Sequence, residues 1–335
     1  MRFKQVARRA LGIAAWLAAL GAALATEAWS EPAWRPEKPV EVIVPTGAGG
    51  INDQNARLIQ KALQDQKLIG TPALVMNKAG GNQTLAVVYL NQHAADPHYL
   101  LYATATVFTN QIAGLTPLHY ADLTPLALLL VDYSVITVRA DSPMKGMRDL
   151  VDRLKAEPDS VAFGLVARGG PNHLMLAQAV KSAGIDPKKL KLVVFKTNAE
   201  SMMAAVGGHV HAVVSSVSAA LPQVQAGNTR MLGVAAPQRV AGTLANLPTM
   251  REQGIDATGI SNWRGIFGPK GLTAAQVAFW EEALAKVAAV DEWKSQLEAN
   301  NLTSRLLRSK DFAKYLEGEY SATRAVMTDL GLAKQ

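Results

Sequence analysis

Short runs of consecutive apolar residues alternate along most of this chain with segments whose apolar residues recur every three to four positions. That alternation restricts the fold more than any other feature. The apolar runs lie at 40–45, 73–77, 99–104, 135–140, 161–166, 190–196, 212–217 and 231–236, and segments of helical period include 53–66, 174–183 and 200–206. Runs without a polar alternate bury both faces, as strands do in a parallel sheet covered by helices, so the pattern predicts an α/β fold of parallel strands. From Thr273 onward there is almost no strand signal. Val277, Trp280, Leu284 and Val287 follow at helical spacing, with Thr273 placed to cap the helix just after Gly271, and a second helix is expected over about 309–330. Phe279, Trp280 and Trp293 are expected to pack in the core. The 335 residues exceed what one core usually holds, which points to two domains.

The first thirty residues stand apart. Arg2, Lys4, Arg8 and Arg9 precede an apolar run from Ala10 to Ala23, and Ala23-Leu24-Ala25 supplies small residues for cleavage. The run is shorter than the roughly 20 apolar residues of a membrane span. The segment is expected to be a secretory signal, residues 1–25, cut after Ala25 or Ala28, which directs the chain to the periplasm with no lasting membrane insertion. Its four basic residues and lack of acids lower the net charge from +7 to +3 on removal. The remaining basic residues are scattered, the densest cluster being Lys188, Lys189 and Lys191, so nucleic acid is not an expected partner. The absence of cysteine excludes disulfides, thiol nucleophiles and thiolate metal sites.

Chemistry concentrates in the loops that follow the strands. Gly47-Ala48-Gly49-Gly50 lies between a strand and a helix, where backbone N–H groups can approach an anion, and Asn52 or Asp53 can cap the helix. It is neither a Walker loop, for lack of Gly-Lys-Ser/Thr, nor a dinucleotide fingerprint, because Asn52 replaces the third glycine. Small polar residues recur after later strands: Ala79-Gly80-Gly81-Asn82, Thr104 and Thr106, Arg168-Gly169-Gly170-Pro171-Asn172-His173, Thr197 and Asn198, and Ser215 and Ser216. Open α/β sheets bind ligands at these strand ends. His209 and His211 share one strand face but have no third ligand nearby in sequence, so no metal is expected. No nucleophile elbow or paired carboxylates stand out, and neither a catalytic residue nor a cofactor is expected.

The stretch from Pro45 to Arg57 resembles the first loop of the substrate-binding proteins of tripartite tricarboxylate transporters, the Bug receptors. So do Asn77-Lys-Ala-Gly-Gly-Asn82, Ala95-Asp-Pro-His-Tyr-Leu-Leu101, Arg139-Ala-Asp-Ser-Pro143, Gly169-Gly-Pro-Asn-His173, Gly207-Gly-His-Val-His211, Leu247-Pro-Thr249, Gly254 and Gly268-Pro-Lys-Gly271. The resemblance implies a two-lobed periplasmic-binding-protein fold, type II-like, with the ligand cleft between lobes. Residues 32–137 plus 263–335 would form lobe I and 138–262 lobe II. It implies a monomeric receptor, with no enzymatic activity, that holds a small carboxylate and hands it to a permease of one large and one small membrane subunit. Carried onto this sequence, the ligand positions are Thr46, Gly47, Ala48, Gly49, Gly50 and Asp53 on one side, and Arg168, Gly169, Gly170, Asn172 and His173 on the other. Thr104, Thr106, Thr197, Asn198, Ser215 and Ser216 lie around them. Three departures bear on ligand choice: the short glycine run at 79–82, Arg168 where small residues are common, and Thr46. Arg168 is expected to favour a dianion or trianion, because a guanidinium pairs bidentately with carboxylate. The residues alone leave two other readings open, a secreted α/β enzyme acting on a small anion and a sensor for a signalling partner.

Overall fold

The computed structural model describes residues 34–195 and 197–334, so the expected signal segment lies outside the described residues. The chain first lays down β1 (Val40–Val44), α1 (Ile51–Asp65), β2 (Ala73–Asn77), α2 (Thr84–Asn91), β3 (Tyr99–Thr104), α3 (Thr106–Ile112) and β4 (Leu123–Val131). It then builds a second unit from β5 (Ser134–Arg139), α4 (Met147–Ala156), β6 (Ala162–Leu165), α5 (Pro171–Ser182), β7 (Lys191–Val194), α6 (Asn198–Val206), β8 (Ala212–Ser216), α7 (Val217–Gln225) and β9 (Thr229–Val234). It returns with β10 (Trp263–Pro269), α8 (Ala274–Ala289), α9 (Asp291–Ala299), β11 (Thr303–Arg308) and α10 (Ser309–Asp329).

Two sheets result, ordered β11-β4-β10-β3-β1-β2 and β7-β6-β8-β5-β9. Apart from the extra edge strand β11, they are two copies of one plan. In the first, β1 pairs parallel with β2 and β3, and β10 runs antiparallel between β3 and β4. In the second, β6 pairs parallel with β7 and β8, and β5 runs antiparallel between β8 and β9. The chain passes between the sheets twice, at Asp132-Tyr133 and again between β9 and β10. Each passage delivers a strand into the interior of the opposite sheet. The sheets are therefore mixed, not wholly parallel as the apolar runs suggested, because a strand that arrives directly from the other sheet has no crossover helix to reverse its direction.

Three strands went unannounced by the sequence. β4 holds Pro125, which cannot donate a ladder hydrogen bond; the β10 register shifts between Ile266 and Phe267, where Phe267 comes opposite Pro125. β10 is broken by glycines, one of which is required: a Cβ on Gly265 would run into the Phe312 ring. β11 alternates half-buried and exposed residues at the sheet edge and pairs only with β4. Beneath β10, Trp263 packs edge-on to Phe108 and Phe312 with ring centroids 5.5 and 5.7 Å apart. The α8 cap forms as its sequence suggests, with Thr273 Oγ1 accepting from Gln276 N and Gln276 Oε1 accepting from Thr273 N at 2.8 Å. Trp280 and Trp293 are buried.

Candidate functional site

The strongest local feature is a pair of matched loops, one per sheet. Gly49-Gly50-Ile51-Asn52-Asp53 follows β1, and Gly169-Gly170-Pro171-Asn172-His173 follows β6, the strand equivalent to β1. Gly49 has φ +83° and Gly169 φ +77°, a left-handed conformation that glycine adopts without a Cβ clash. Gly50 and Gly170 then cap α1 and α5 with nearly equal dihedrals, φ −76° in both, ψ 168° and 164°. In each loop the side chain in the first turn reaches back four residues. Gly49 N–H donates to Asp53 Oδ2 at 2.9 Å, and Gly169 N–H donates to His173 Nδ1 at 2.9 Å.

The two reaching side chains differ in charge. Asp53 is buried, and Arg57 Nε (2.9 Å), Gly49 N–H and Asn77 Nδ2 (2.9 Å) donate to it. These donors, Arg57 first, hold its carboxyl down at about 2. His173 is buried too, and burial, with the nearby Arg168 charge second, lowers its imidazole to about 4. It is therefore neutral at pH 7, with Nδ1 the acceptor and the proton on Nε2. With Gly49 and Gly169 engaged in this way, Gly47, Ala48 and Gly50 keep N–H groups that meet no acceptor among the described residues.

A chain of hydrogen bonds joins the first loop to the second sheet through the crossovers. Arg264 Nε donates to Asn52 Oδ1 (3.1 Å), and its Nη1 donates to Asn262 Oδ1 (2.6 Å) and O (3.1 Å). Asn262 O accepts from Asp132 N (3.1 Å), so the two crossovers are bonded to each other. Asp132 Oδ2 accepts from Ser218 Oγ (2.6 Å), which shares a hydrogen bond with Ser216 Oγ (3.0 Å). Ser216 is opposite Ser134 in the β5–β8 ladder, and Ser134 Oγ donates to Asn172 Oδ1 (2.6 Å). Burial raises the Asp132 carboxyl, while Ser218 and Arg264 oppose that shift.

Of the residues singled out from sequence, this network gathers Asp53, Asn172, His173, Ser216 and the two glycine loops. Thr104 lies beside them: its Oγ1 donates to Gln83 Oε1 (2.8 Å) and accepts from Thr106 N (3.2 Å). Gln83 closes a run, Gly80 to Gln83, in which four successive residues have positive φ. Thr46 Oγ1 is buried with no partner, though its carbonyl accepts from Asn77 Nδ2 (3.0 Å). Ser215 is buried in β8 and donates only to Ser216 O. Thr197 caps α6 by accepting from Glu200 N (3.1 Å), and Asn198 Oδ1 is buried without a partner. No hydrogen bond among the described residues ties Thr197 or Asn198 to either glycine loop. Arg168 is exposed and, among the described residues, has no acidic partner. His211, half of the histidine pair, accepts from Ala162 N through Nδ1 (3.0 Å).

Comparison with known proteins decides the family. Residues 56–332 match the model described as tripartite tricarboxylate transporter family receptor, TctC. The chain belongs to this receptor family. It is 28% identical over 293 residues to protein BugT of Bordetella pertussis, spanning 84% of this chain and 87% of BugT. A TctC solute-binding protein from Polaromonas, solved without ligand, superposes with a TM-score of 0.80 at 25% identity, covering 88% of this chain and 99% of that one. An R. palustris protein solved with adipate shares the fold, with a TM-score of 0.71 at 24% identity, over 89% of this chain and 99% of that one.

Fold and family are those of solute-binding receptors. In this receptor the sequence did not point to Arg264, Asn262, Asp132 or Gln83. Arg264 sits in a glycine-broken strand with no helical or alternating pattern around it, and its partner Asn52 is 212 positions away. Gln83 carried one signal, its place just after Gly80-Gly81-Asn82.

Proposed function

We propose that this protein is a periplasmic receptor that closes two lobes, one built on each sheet, on a small organic carboxylate and passes it to a membrane permease of one large and one small subunit. The matched glycine loops carry the proposal. Each sheet offers a helix N-terminus at the carboxyl end of an interior parallel strand, and a network of side-chain contacts leads from the crossovers that would bend during closure toward both. Exposed amides at Gly47, Ala48 and Gly50 on one side, with Arg168 and the Nε2–H of His173 on the other, form a donor set suited to carboxylate oxygens. The adipate bound by the R. palustris protein of the same fold is in keeping with that chemistry. No acid/base pair is needed, because the proposed cycle is binding, closure and release, with the ligand shifting the equilibrium by favouring the closed form. Residues 1–25 act as the export signal, and the receptor works as a monomer.

The test is thermal unfolding of residues 26–335, before and after refolding to strip retained ligand, against mono-, di- and tricarboxylates, amino acids and aromatic acids. A ligand at 100 times its Kd stabilises by about 2.7 kcal/mol, which raises the midpoint by roughly 4 °C. A selective rise with one carboxylate class supports the proposal, and a refolded protein that ignores every carboxylate refutes it. Arg168→Ala is expected to lower affinity for di- and tricarboxylates more than for monocarboxylates. Equal losses would remove Arg168 from the site.

A further inference from the structure

Arg264 is a cation without a counter-ion among the described residues. It is half-buried on β10, opposite Thr104 at the end of β3 and Leu130 on β4, under the first turn of α1. Four oxygens hold it: Asn52 Oδ1 on Nε, and Asn262 Oδ1, Asn262 O and Trp263 O (3.0 Å) on Nη1. None of them is charged. Arg57, Arg139, Arg239 and Arg308 each hold a carboxylate, whereas no carboxylate among the described residues comes within ion-pair distance of Arg264. Asp132 feels its charge but spends its own hydrogen bonds on Ser218.

Withdrawing a guanidinium from water is costly unless its donors are met and its charge is answered. Here Nε and Nη1 are met, which fixes the plane of the group, while Nη2 finds no acceptor among the described residues. A guanidinium locked in orientation with one edge open is preorganised for a carboxylate. Its place is also the right one, since the carboxyl ends of β1 and β3 are where an open α/β sheet takes its ligand. Arg168, a second cation at these strand ends with no carboxylate partner among the described residues, stands on the opposite sheet's loop.

We propose that Arg264 is the charge-selecting residue of the binding site, pairing through Nη2 with one ligand carboxylate while the second carboxylate meets the Arg168 side, so that the ligand is a dicarboxylate. This inference rests on the carboxylate-receptor reading and narrows it. Neutral acceptors around Arg264 serve the purpose better than an acid would, because an internal carboxylate would compete with the ligand for the same edge.

The experiment is calorimetric titration of the refolded protein with succinate, glutarate and adipate and with the monoamide of each. The wild type is expected to bind at least one diacid 30-fold or more tighter than its monoamide. Arg264→Gln should reduce that ratio to threefold or less, and Arg264→Lys should keep part of it. Should Arg264→Gln fail to fold, Asn52→Asp serves instead. It places a carboxylate against Nε at a helix start that tolerates acids, and it should reduce the diacid preference at least tenfold. Retention of the wild-type ratio in a folded Arg264→Gln or Asn52→Asp protein overturns the inference and leaves the receptor reading intact. So does a wild type that binds the monoamides as tightly as the diacids. A wild type that binds no carboxylate at all overturns the receptor reading itself.

Discussion

Two buried groups tilt the stability of this protein in opposite directions with pH, and replacing either should expose the other. Glu319 on α10 accepts from Ser261 N at 3.0 Å, with the Ser261 and Tyr315 hydroxyls beside it and the Arg305 charge close by. Burial outweighs these contacts and raises its carboxyl from an ordinary 4.5 to about 7. Between those values the native state holds the proton that the unfolded chain has released, so stability falls as pH rises. Over 2.5 pH units at 1.36 kcal/mol each, the loss is about 3 kcal/mol. His173 does the reverse. Its imidazole falls from an ordinary 6.5 to about 4, so within that range the unfolded chain is the more protonated, and stability falls by about 3 kcal/mol as pH drops. Asp132, buried and raised, adds to the Glu319 side, and His211, lowered but exposed, adds little to the other. The wild type should therefore be nearly flat between pH 4.5 and 6.5. Urea unfolding at half-unit steps is the assay. Glu319→Gln should become more stable by about 3 kcal/mol from pH 4.5 to 7, while His173→Gln should lose a similar amount over the same range. Variants whose profiles both run parallel to the wild type would refute the reasoning.

Other substitutions follow from the same contacts. Asp53→Asn removes the acceptor for Arg57 and weakens that for Gly49, and should cost about 2 kcal/mol in urea unfolding at pH 7; an unchanged midpoint would remove Asp53 as the organiser of its loop. Gly265→Ala forces a Cβ into the Phe312 ring and should cost about 3 kcal/mol, read as a lowered thermal midpoint. Gly169→Ala strains a left-handed residue, although its new Cβ would meet Leu332 Cδ1 only in ordinary contact at 3.6 Å. A loss of about 1 kcal/mol is expected, together with weakened carboxylate binding in calorimetry. Ser134→Ala removes the donor to Asn172 and should cost about 1 kcal/mol.

The parallel half of each sheet was legible because β1, β3, β6 and β8 are continuous apolar runs, which the structure buries almost throughout. The antiparallel strands of the first sheet were not. Pro125 in β4 and the glycines of β10 oppose strand formation locally, and the sheet overrides them through bonds to partners more than a hundred residues distant in the case of β10 and β3. The glycine loops could be located from sequence because left-handed backbone leaves a visible mark, a glycine at a fixed step before a helix. The part played by Asp53 and His173 in them could not, since reaching back to an amide leaves no composition signal that distinguishes it from facing a ligand. Arg264 shows the limit most plainly. Its standing depends on which oxygens surround it, and those come from α1, the second crossover and its own strand.

The position of β10 between β3 and β4 also sets an order of events. As the chain emerges, all five strands of the second sheet are present once Val234 has been made, and that sheet can close around its own helices. The first sheet cannot. At that moment β3 and β4 are both available but have a gap between them, and the gap stays open until Trp263–Pro269 arrives, with β11 and α10 later still. The first half of the protein thus waits for the last quarter of its own sequence.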